Sequence, residues 1–534
     1  MKNAFLTLIY LTICSSSYCQ EMVVDSSFGN NGLLFFDNWL KNPYSFVIEP
    51  DIKKRMIIGS GNIYDTSGFL LTRYFTNGEL DKTFGKNGEI TLKASYPYPI
   101  VNVLKDNKIL AAGRSYINNV QTIEITRFLE NGTIDSTFGE NGTSLIPAID
   151  LQYTFLPSQI LQQEDNKILL SGHCAYFAGG IAYNPRYLVI LRINYNGSLD
   201  QTYGFKGYAV TNAFIQDENG IIAPSSSVLL KDNKISLAGY KDYIFNDTMS
   251  IVIRRYFKDG HQDTMYASNG EDIIIKDVKT RVVSHVSAKN NSTFTLINGG
   301  DANSSSWNSY LVKINQEGHL DSTFATKGIY KFSWHQNSNR IGRSLDLKIK
   351  DDGKIVIFGY KNFSDPIDLI AKDQYFLIQL DSLGQPDENF GLQGLEYWKD
   401  WNYNINLDAQ RLKKISKIEN DRITIFGFSN ENHWPFFIRF KIDKSSQAEI
   451  EIYNENFNIF PNPTSGTFSL DLPADFNTEN AVMTVYDLYG RVVMQKKVME
   501  TAESHDISNL GNGIYIIELR QNKKIFRNKL LITR

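Results

Sequence analysis

The stretch "LDKTFGKNGEITL", Leu80 to Leu92, decides how this chain is read, because the chain writes it repeatedly. It returns as "IDSTFGENGTSLI" from Ile134, "LDQTYGFKGYAVT" from Leu199, "LDSTFATKGIYKF" from Leu320 and "PDENFGLQGLEYW" from Pro386. Looser copies, "VDSSFGNNGLLFF" from Val24 and "QDTMYASNGEDIII" from Gln262, bring the total to seven. The aspartates are Asp25, Asp81, Asp135, Asp200, Asp263, Asp321 and Asp387, at steps of 56, 54, 65, 63, 58 and 66 residues. A long period with elastic spacing indicates a supersecondary unit carrying variable loops, not a short solenoid coil.

Between copies the text has three parts. A short alternating run such as "EITLKA" follows the closing glycine. An apolar stretch then turns at "KDNKILAAG" (Lys105 to Gly113), echoed by "EDNKILLSG", "KDNKISLAG", "DDGKIVIFG" and "ENDRITIFG". Last comes a run such as "TIEITRFLENG", which leads into the next aspartate. Each unit therefore reads as four strands with polar turns, and helical periodicity is nearly absent. Four-stranded antiparallel units repeated at this size are propeller blades. The expected fold is all-β: a seven-bladed β-propeller of four-stranded blades, followed by a small immunoglobulin-like β-sandwich. The strand before each aspartate is expected outermost in its blade, and the strand after the last glycine innermost in the next.

Substitutions among the copies separate roles. The aromatic position holds Phe28, Phe84, Phe138, Tyr203, Tyr266, Phe324 and Phe390, as expected of a ring wedged between adjacent blades. The final glycine is invariant within the chain (Gly32, Gly88, Gly142, Gly207, Gly270, Gly328, Gly394), which suggests a positive φ. The first glycine becomes Ala267 and Ala325 in two copies, so smallness rather than a special dihedral is expected there. The aspartate reads as an Asx-type turn that fixes the junction, since carboxylates repeated once per blade lie too far apart to share an ion. The chain opens on a motif with no blade before it and closes on a blade with no motif after it. The N-terminal copy is therefore expected to close the ring.

The ends of the chain address location. Met1-Lys2-Asn3, an apolar run to Cys14 and then "SSSYCQ" have the form of a secretory signal peptide, assigned to residues 1–19. Its removal leaves Cys174 as the one cysteine, so stability must come from packing rather than disulfides. The propeller is assigned to residues 20–443 and a polar linker to 444–456. Residues 457–534 alternate as strands after Pro461 and Pro463, with a turn at Gly466 and breaks at Gly490, Gly511 and Gly513, and read as a small sandwich. No transmembrane segment is expected. A formal net charge of -3 with no basic stripe argues against nucleic acid.

The seven phrases resemble the bacterial delta-60 repeat, over about residues 22 to 442. That resemblance implies a propeller and assigns no activity. The tail "FNIFPNPTSGTFSLDL", "VMTVYDLYGRVV" and the run to "KLLITR" resembles the type A C-terminal sorting domain of the type IX secretion system of the Bacteroidetes. The matching positions are Pro461, Asn462, Pro463, Gly466, Gly490, Arg491, Gly513, Tyr515 and Lys529. By resemblance, the tail partners the type IX machinery, takes the protein through the outer membrane and is removed at the surface.

Chemistry is sparser. No phosphate loop, zincin motif or nucleophile elbow is present, and no catalytic residue, metal site or cofactor is assigned. His173-Cys174 is read as a buried or loop pair. The variable loops hold five of the six tryptophans, Trp39, Trp307, Trp334, Trp401 and Trp434, with tyrosine, asparagine and serine around them. Such loops on a rigid scaffold build binding faces, although the same rings also serve as blade caps. The expected function is a non-catalytic, monomeric surface or secreted propeller binding glycan or protein through these loops. The alternative is an extracellular carbohydrate-active hydrolase or lyase with a site near the channel.

Overall fold

The structure, a computed structural model, describes residues 21–534 except residue 52, residue 420 and a series of segments. These are 36–44, 62–68, 93–99, 118–119, 148–152, 179–180, 211–220, 244–247, 268–270, 302–307, 334–341, 365–370, 392–393, 398–411, 429–434, 444–450, 453–456, 473–480, 488–491, 499–503 and 522–523. The described residues form strands and turns without helix, and they divide into two compact units, Glu21–Asp443 and one that includes Lys444–Arg534.

In the larger unit every sheet is antiparallel, and all but the last run in chain order. Ser45–Pro50, Met56–Gly61, Phe69–Tyr74 and Glu89–Leu92 pair in chain order, and Ile100–Val103, Ile109–Ile117, Val120–Phe128 and Thr143–Pro147 do the same. Two further four-stranded sheets begin at Tyr153–Gln162 and Gly342–Ile349. Between them the seven-stranded sheet from Ile221–Leu229 to Ile329–Ser333 contains one long strand, Glu271–Ser287. Its first part pairs with Thr248–Tyr256 and its second with Thr293–Asp301. One strand thus joins two units of the repeat.

The repeated phrase is a hairpin inside one sheet. Glu89–Leu92 pairs with Phe69–Tyr74, and Thr143–Pro147 with Val120–Phe128. The strand after the last glycine is therefore the fourth of its own sheet, not the first of the next, and the strand before the aspartate is the third. The reason lies in the backbone hydrogen bonds. The motif folds back on the third strand before the fourth begins, the Asp81 amide donating to Arg73 O at 2.9 Å and the Arg73 amide to Gly88 O at 3.3 Å, so the residues after Gly88 continue that same ladder.

The last sheet is assembled from both ends of this unit. Leu412–Glu419, Arg422–Phe428 and Pro435–Asp443 pair in order, and Pro435–Asp443 then pairs with Glu21–Val24 and Leu33–Phe35. The first strands of successive units pack side by side. Ser45–Pro50 lies against Ile100–Val103, and the series runs through Tyr153–Gln162, Ile221–Leu229, Glu271–Ser287 and Gly342–Ile349 to Leu412–Glu419. That last strand lies against Ser45–Pro50 again, so the circuit closes. Apolar clusters bridge neighbouring sheets: Phe28, Met56, Ile58 and Tyr74 pack with Phe426 and Phe437.

The smaller unit has a five-stranded sheet containing Val482–Tyr486, Val492–Lys497, Gly513–Gln521 and Lys524–Ile532, and a three-stranded sheet of Asn458–Phe460, Thr467–Asp471 and Ser504–Asp506. Both sheets contribute to one core, in which Ile459, Phe468 and Leu470 meet Met483, Val485, Ile517 and Leu530.

Candidate functional site

The aspartates of the phrase sit at the most repeated polar arrangement in the molecule. Asp81 Oδ1 accepts hydrogen bonds from the Thr83 amide at 3.1 Å and hydroxyl at 2.5 Å, which closes an Asx turn. Asp25, Asp135, Asp200 and Asp321 do the same with Ser27, Thr137, Thr202 and Thr323. The other oxygen receives a cation from the third strand of the same sheet. Arg73 Nε donates to Asp81 at 2.8 Å, Arg127 to Asp135 at 2.8 Å, Arg192 to Asp200 at 2.7 Å and Arg255 to Asp263 at 2.8 Å. Lys313 takes that place for Asp321 and Gln379 for Asp387.

A second cation arrives from the "KDNK" hairpin: Lys108 on Asp135 at 3.0 Å, Lys167 on Asp200 at 2.7 Å, Lys234 on Asp263 at 3.2 Å and Lys354 on Asp387 at 2.7 Å. Burial disfavours the Asp135 and Asp200 carboxylates. The Thr137 and Lys108 bonds to the first, and the Lys167 and Thr202 bonds to the second, outweigh it and hold both well below the usual range.

The junction arginine also reaches the next unit. Its guanidinium lies over the motif ring, 4.4 Å from the Phe84 centroid for Arg73 and 4.3 Å from Tyr266 for Arg255. Arg73 Nη1 donates to Glu130 O and Arg192 Nη1 to Lys258 O, carbonyls in the following copy's turn. The first-glycine amide crosses as well, from Gly85 to Asn131 O at 2.8 Å and from Ala267 to Glu317 O at 2.8 Å. That residue has φ of 45 to 56° in all seven copies, alanines included, so a special dihedral is used there after all. It falls in the left-handed helical region that an L-residue can enter at modest cost. The final glycine reaches φ of 78 to 98° in the six described copies, and Gly270 lies outside the described residues. The motif rings are fully enclosed, between 0 and 2 % exposed.

The junction arginines were missing from the sequence reading, although each stands eight residues before its aspartate, in "TRYFTNGELD", "TRFLENGTID", "LRINYNGSLD" and "RRYFKDGHQD". In the closing copy the Asp25 amide donates to Arg439 O at 2.9 Å and the Arg439 amide to Gly32 O at 3.0 Å, while Arg422 Nε donates to Asp25 at 2.9 Å.

Trp39, Trp307, Trp334, Trp401 and Trp434 lie outside the described residues, as does the sixth tryptophan, Trp398. They fall between strands whose described ends are opposite the motif hairpins: after Phe35, before Asn308, after Ser333, after Tyr397 and before Pro435. His173 is half-buried with its pKa lowered by burial, beside buried Cys174 on Ile168–Ala178. His285, fully enclosed, contacts the Thr295 and Ser236 hydroxyls at 2.9 Å, and burial lowers its pKa to about 3. It is a neutral core group. Among the described residues no three metal-ligating side chains converge.

In the tail, Asn462 Nδ2 donates to Lys529 O at 2.6 Å and its Oδ1 accepts from the Leu531 amide at 2.9 Å, tying the start of the unit to its final strand. Gly466 O accepts from the Ile507 amide at 2.8 Å and Tyr515 donates to Gly511 O at 3.0 Å. Gly490 and Arg491 lie outside the described residues.

Residues 104–138, one repeat from turn to motif ring, match the family described as a domain of unknown function (DUF5122) beta-propeller. No curated protein matches the sequence. Among solved structures the chain is similar to the polysaccharide lyase Uly1, at 10% identity and TM-score 0.44 over 78% of this chain and 93% of that one. A protein of unknown function from Dyadobacter fermentans matches at 10% identity and TM-score 0.35, over 65% and 94%. An α-L-arabinanase from Penicillium chrysogenum matches at 12% and 0.33, over 65% and 93%. Residues 458–533 match the secretion system C-terminal sorting domain. This chain accordingly carries a β-propeller domain and a type IX sorting tail, and is exported through the outer membrane to the cell surface or beyond.

Proposed function

We propose that residues 20–443 form a seven-bladed propeller that acts, as a monomer and without catalysis, as a glycan-binding module at the cell surface or outside the cell. Residues 457–534 form an immunoglobulin-like sandwich that engages the secretion machinery and directs surface attachment. The supporting observation is the division of labour between the two ends of the sheets. At one end the motif and "KDNK" side chains are held in junction hydrogen bonds. The tryptophan-bearing connections join strands at the other end. Indole faces with asparagine and serine neighbours suit pyranose rings and their hydroxyls.

The test is a polysaccharide binding screen of the full chain beside a Trp307→Ala, Trp334→Ala, Trp401→Ala variant of unchanged melting temperature. Glycan binding by the parent and its loss in the variant is the expected result. Binding indifferent to the three indoles returns them to blade caps, retention of a protein partner alone replaces glycan by protein, and depolymerisation of the polysaccharide would replace the binder by an enzyme.

A further inference from the structure

The closing junction repeats the backbone of the others and departs from them in where one arginine points. The Asp25 amide donates to Arg439 O and the Arg439 amide to Gly32 O, just as Asp135 donates to Arg127 O and Arg127 to Gly142 O. Arg439 thus stands in the place of the junction arginine, with its guanidinium 4.1 Å from the Phe28 centroid. In the other six copies the residue at this place reaches its aspartate: Arg73, Arg127, Arg192, Arg255, Lys313 and Gln379. Among the described residues Arg439 makes no such bond. Its Nε donates instead to the Thr424 hydroxyl at 3.1 Å, and its Nη2 is buried with no hydrogen-bond partner.

The cause is the residue directly across the sheet. Thr424 pairs with Arg439 in register, and the matching partners in the other sheets are Ile57, Leu110, Leu169, Phe294 and Val356, which offer no acceptor. The sixth, Ser236 opposite Arg255, is in contact with His285. Thr424 alone accepts a bond from the junction cation. A neutral hydroxyl in place of a carboxylate gives up the stronger, charge-assisted bond, and the unpartnered Nη2 keeps its desolvation cost. What holds Asp25 is Arg422, whose side chain is 43 % exposed, against 2 to 9 % for the four arginines that pair with their aspartates. An exposed pair of this kind stabilises least.

We propose that the seam is a latch left partly undone: Thr424 holds Arg439 away from Asp25, so the ring opens between residues 21–35 and Pro435–Asp443 while the other six junctions stay shut. The N-terminal strap leaves with its own turn intact, because Ser27 bonds Asp25 from within it. Opening uncovers the edge of Pro435–Asp443, and the strap returns to it in the register it left, Glu21 opposite Asp443 and Leu33 opposite Ile438. A circle of otherwise similar junctions thereby has one defined place of local opening, and the propeller gains a hinge without loosening its other sheets. Thr424 is a positioning residue in this device, acting through Arg439.

The experiment is amide hydrogen exchange of the full chain, read by mass spectrometry on peptides spanning residues 22–33 and, as the matched junction, 132–143. It is run on the parent, Thr424→Val, Arg439→Gln and Arg127→Gln. In the parent, exchange at the seam should be about tenfold or more faster than at the matched junction. Thr424→Val keeps the side-chain volume and removes the acceptor, which frees Arg439 for Asp25 and slows the seam about tenfold while 132–143 is unchanged. Arg439→Gln should change the seam little, whereas Arg127→Gln speeds its own junction strongly. An Arg127→Gln chain that fails to fold while Arg439→Gln folds supports the same conclusion. Seam amides as slow as the matched ones, or equal responses to the two glutamine variants, would overturn the proposal. So would a fast seam indifferent to Thr424→Val, which is the behaviour of a strand that merely frays.

Discussion

At the scale of the residue, the phrase is a device for holding one carboxylate. Asp200 is hydrogen-bonded by Thr202, paired with Arg192 and Lys167, and almost fully buried. Truncating Arg192 to alanine leaves a buried charge short of its main partner and removes the ring stacking on Tyr203, 4.5 Å away. Such losses cost about 3 to 5 kcal/mol, to be read as a lower urea midpoint. The exposed Lys53–Glu130 pair, by contrast, contributes about 0 to 1 kcal/mol, so Lys53→Ala should leave the midpoint nearly unchanged. Acid should act on all these carboxylates together. Asp25, Asp81, Asp135, Asp200, Asp321 and Asp387 have folded pKa values below their unfolded ones, because hydrogen bonds and cations outweigh burial. Their contribution is present above the unfolded value of about 4 and lost as pH falls through the lower folded values. Thermal midpoints measured from pH 7 to pH 2 should hold to about pH 4 and then drop.

At the scale of the element, the hairpin was legible and its address was not. Repetition of Asp, aromatic and glycine revealed a turn of fixed geometry, and the motif without a blade at the start revealed a ring to be closed. Alternation shows that "EITL" is a strand but not which strand it pairs with, since period two is the same in either sheet. The arginine eight residues before the aspartate escaped because lysine and glutamine replace it in two copies, Lys313 and Gln379. Ala267 and Ala325 disguised a left-handed position because alanine can occupy it. The final glycine is stricter. At Gly142, φ is +92° and an added Cβ would strike the Ile134 side chain, so Gly142→Ala should destabilise by about 1 to 3 kcal/mol, measured by denaturant unfolding.

At the scale of the whole molecule, two compact units are joined by a chain segment, and each has its own core. Deleting residues 458–533 should leave the propeller's melting transition in place and stop the protein before the cell surface, a result read by fractionation and surface proteolysis. Deleting residues 20 to 32 should do the reverse, lowering the melting temperature of the array while the tail remains intact. The seam explains the asymmetry. Arg422 and Asp25 are separated by 397 residues, so the bonds that shut the circle cannot form until nearly all of this unit has been made. Up to that moment the growing chain is an open arc with two bare edges, a template for mispairing with its neighbours. Closure is thus an event in the timetable of synthesis, and the interval before it is when a chaperone has the most to protect.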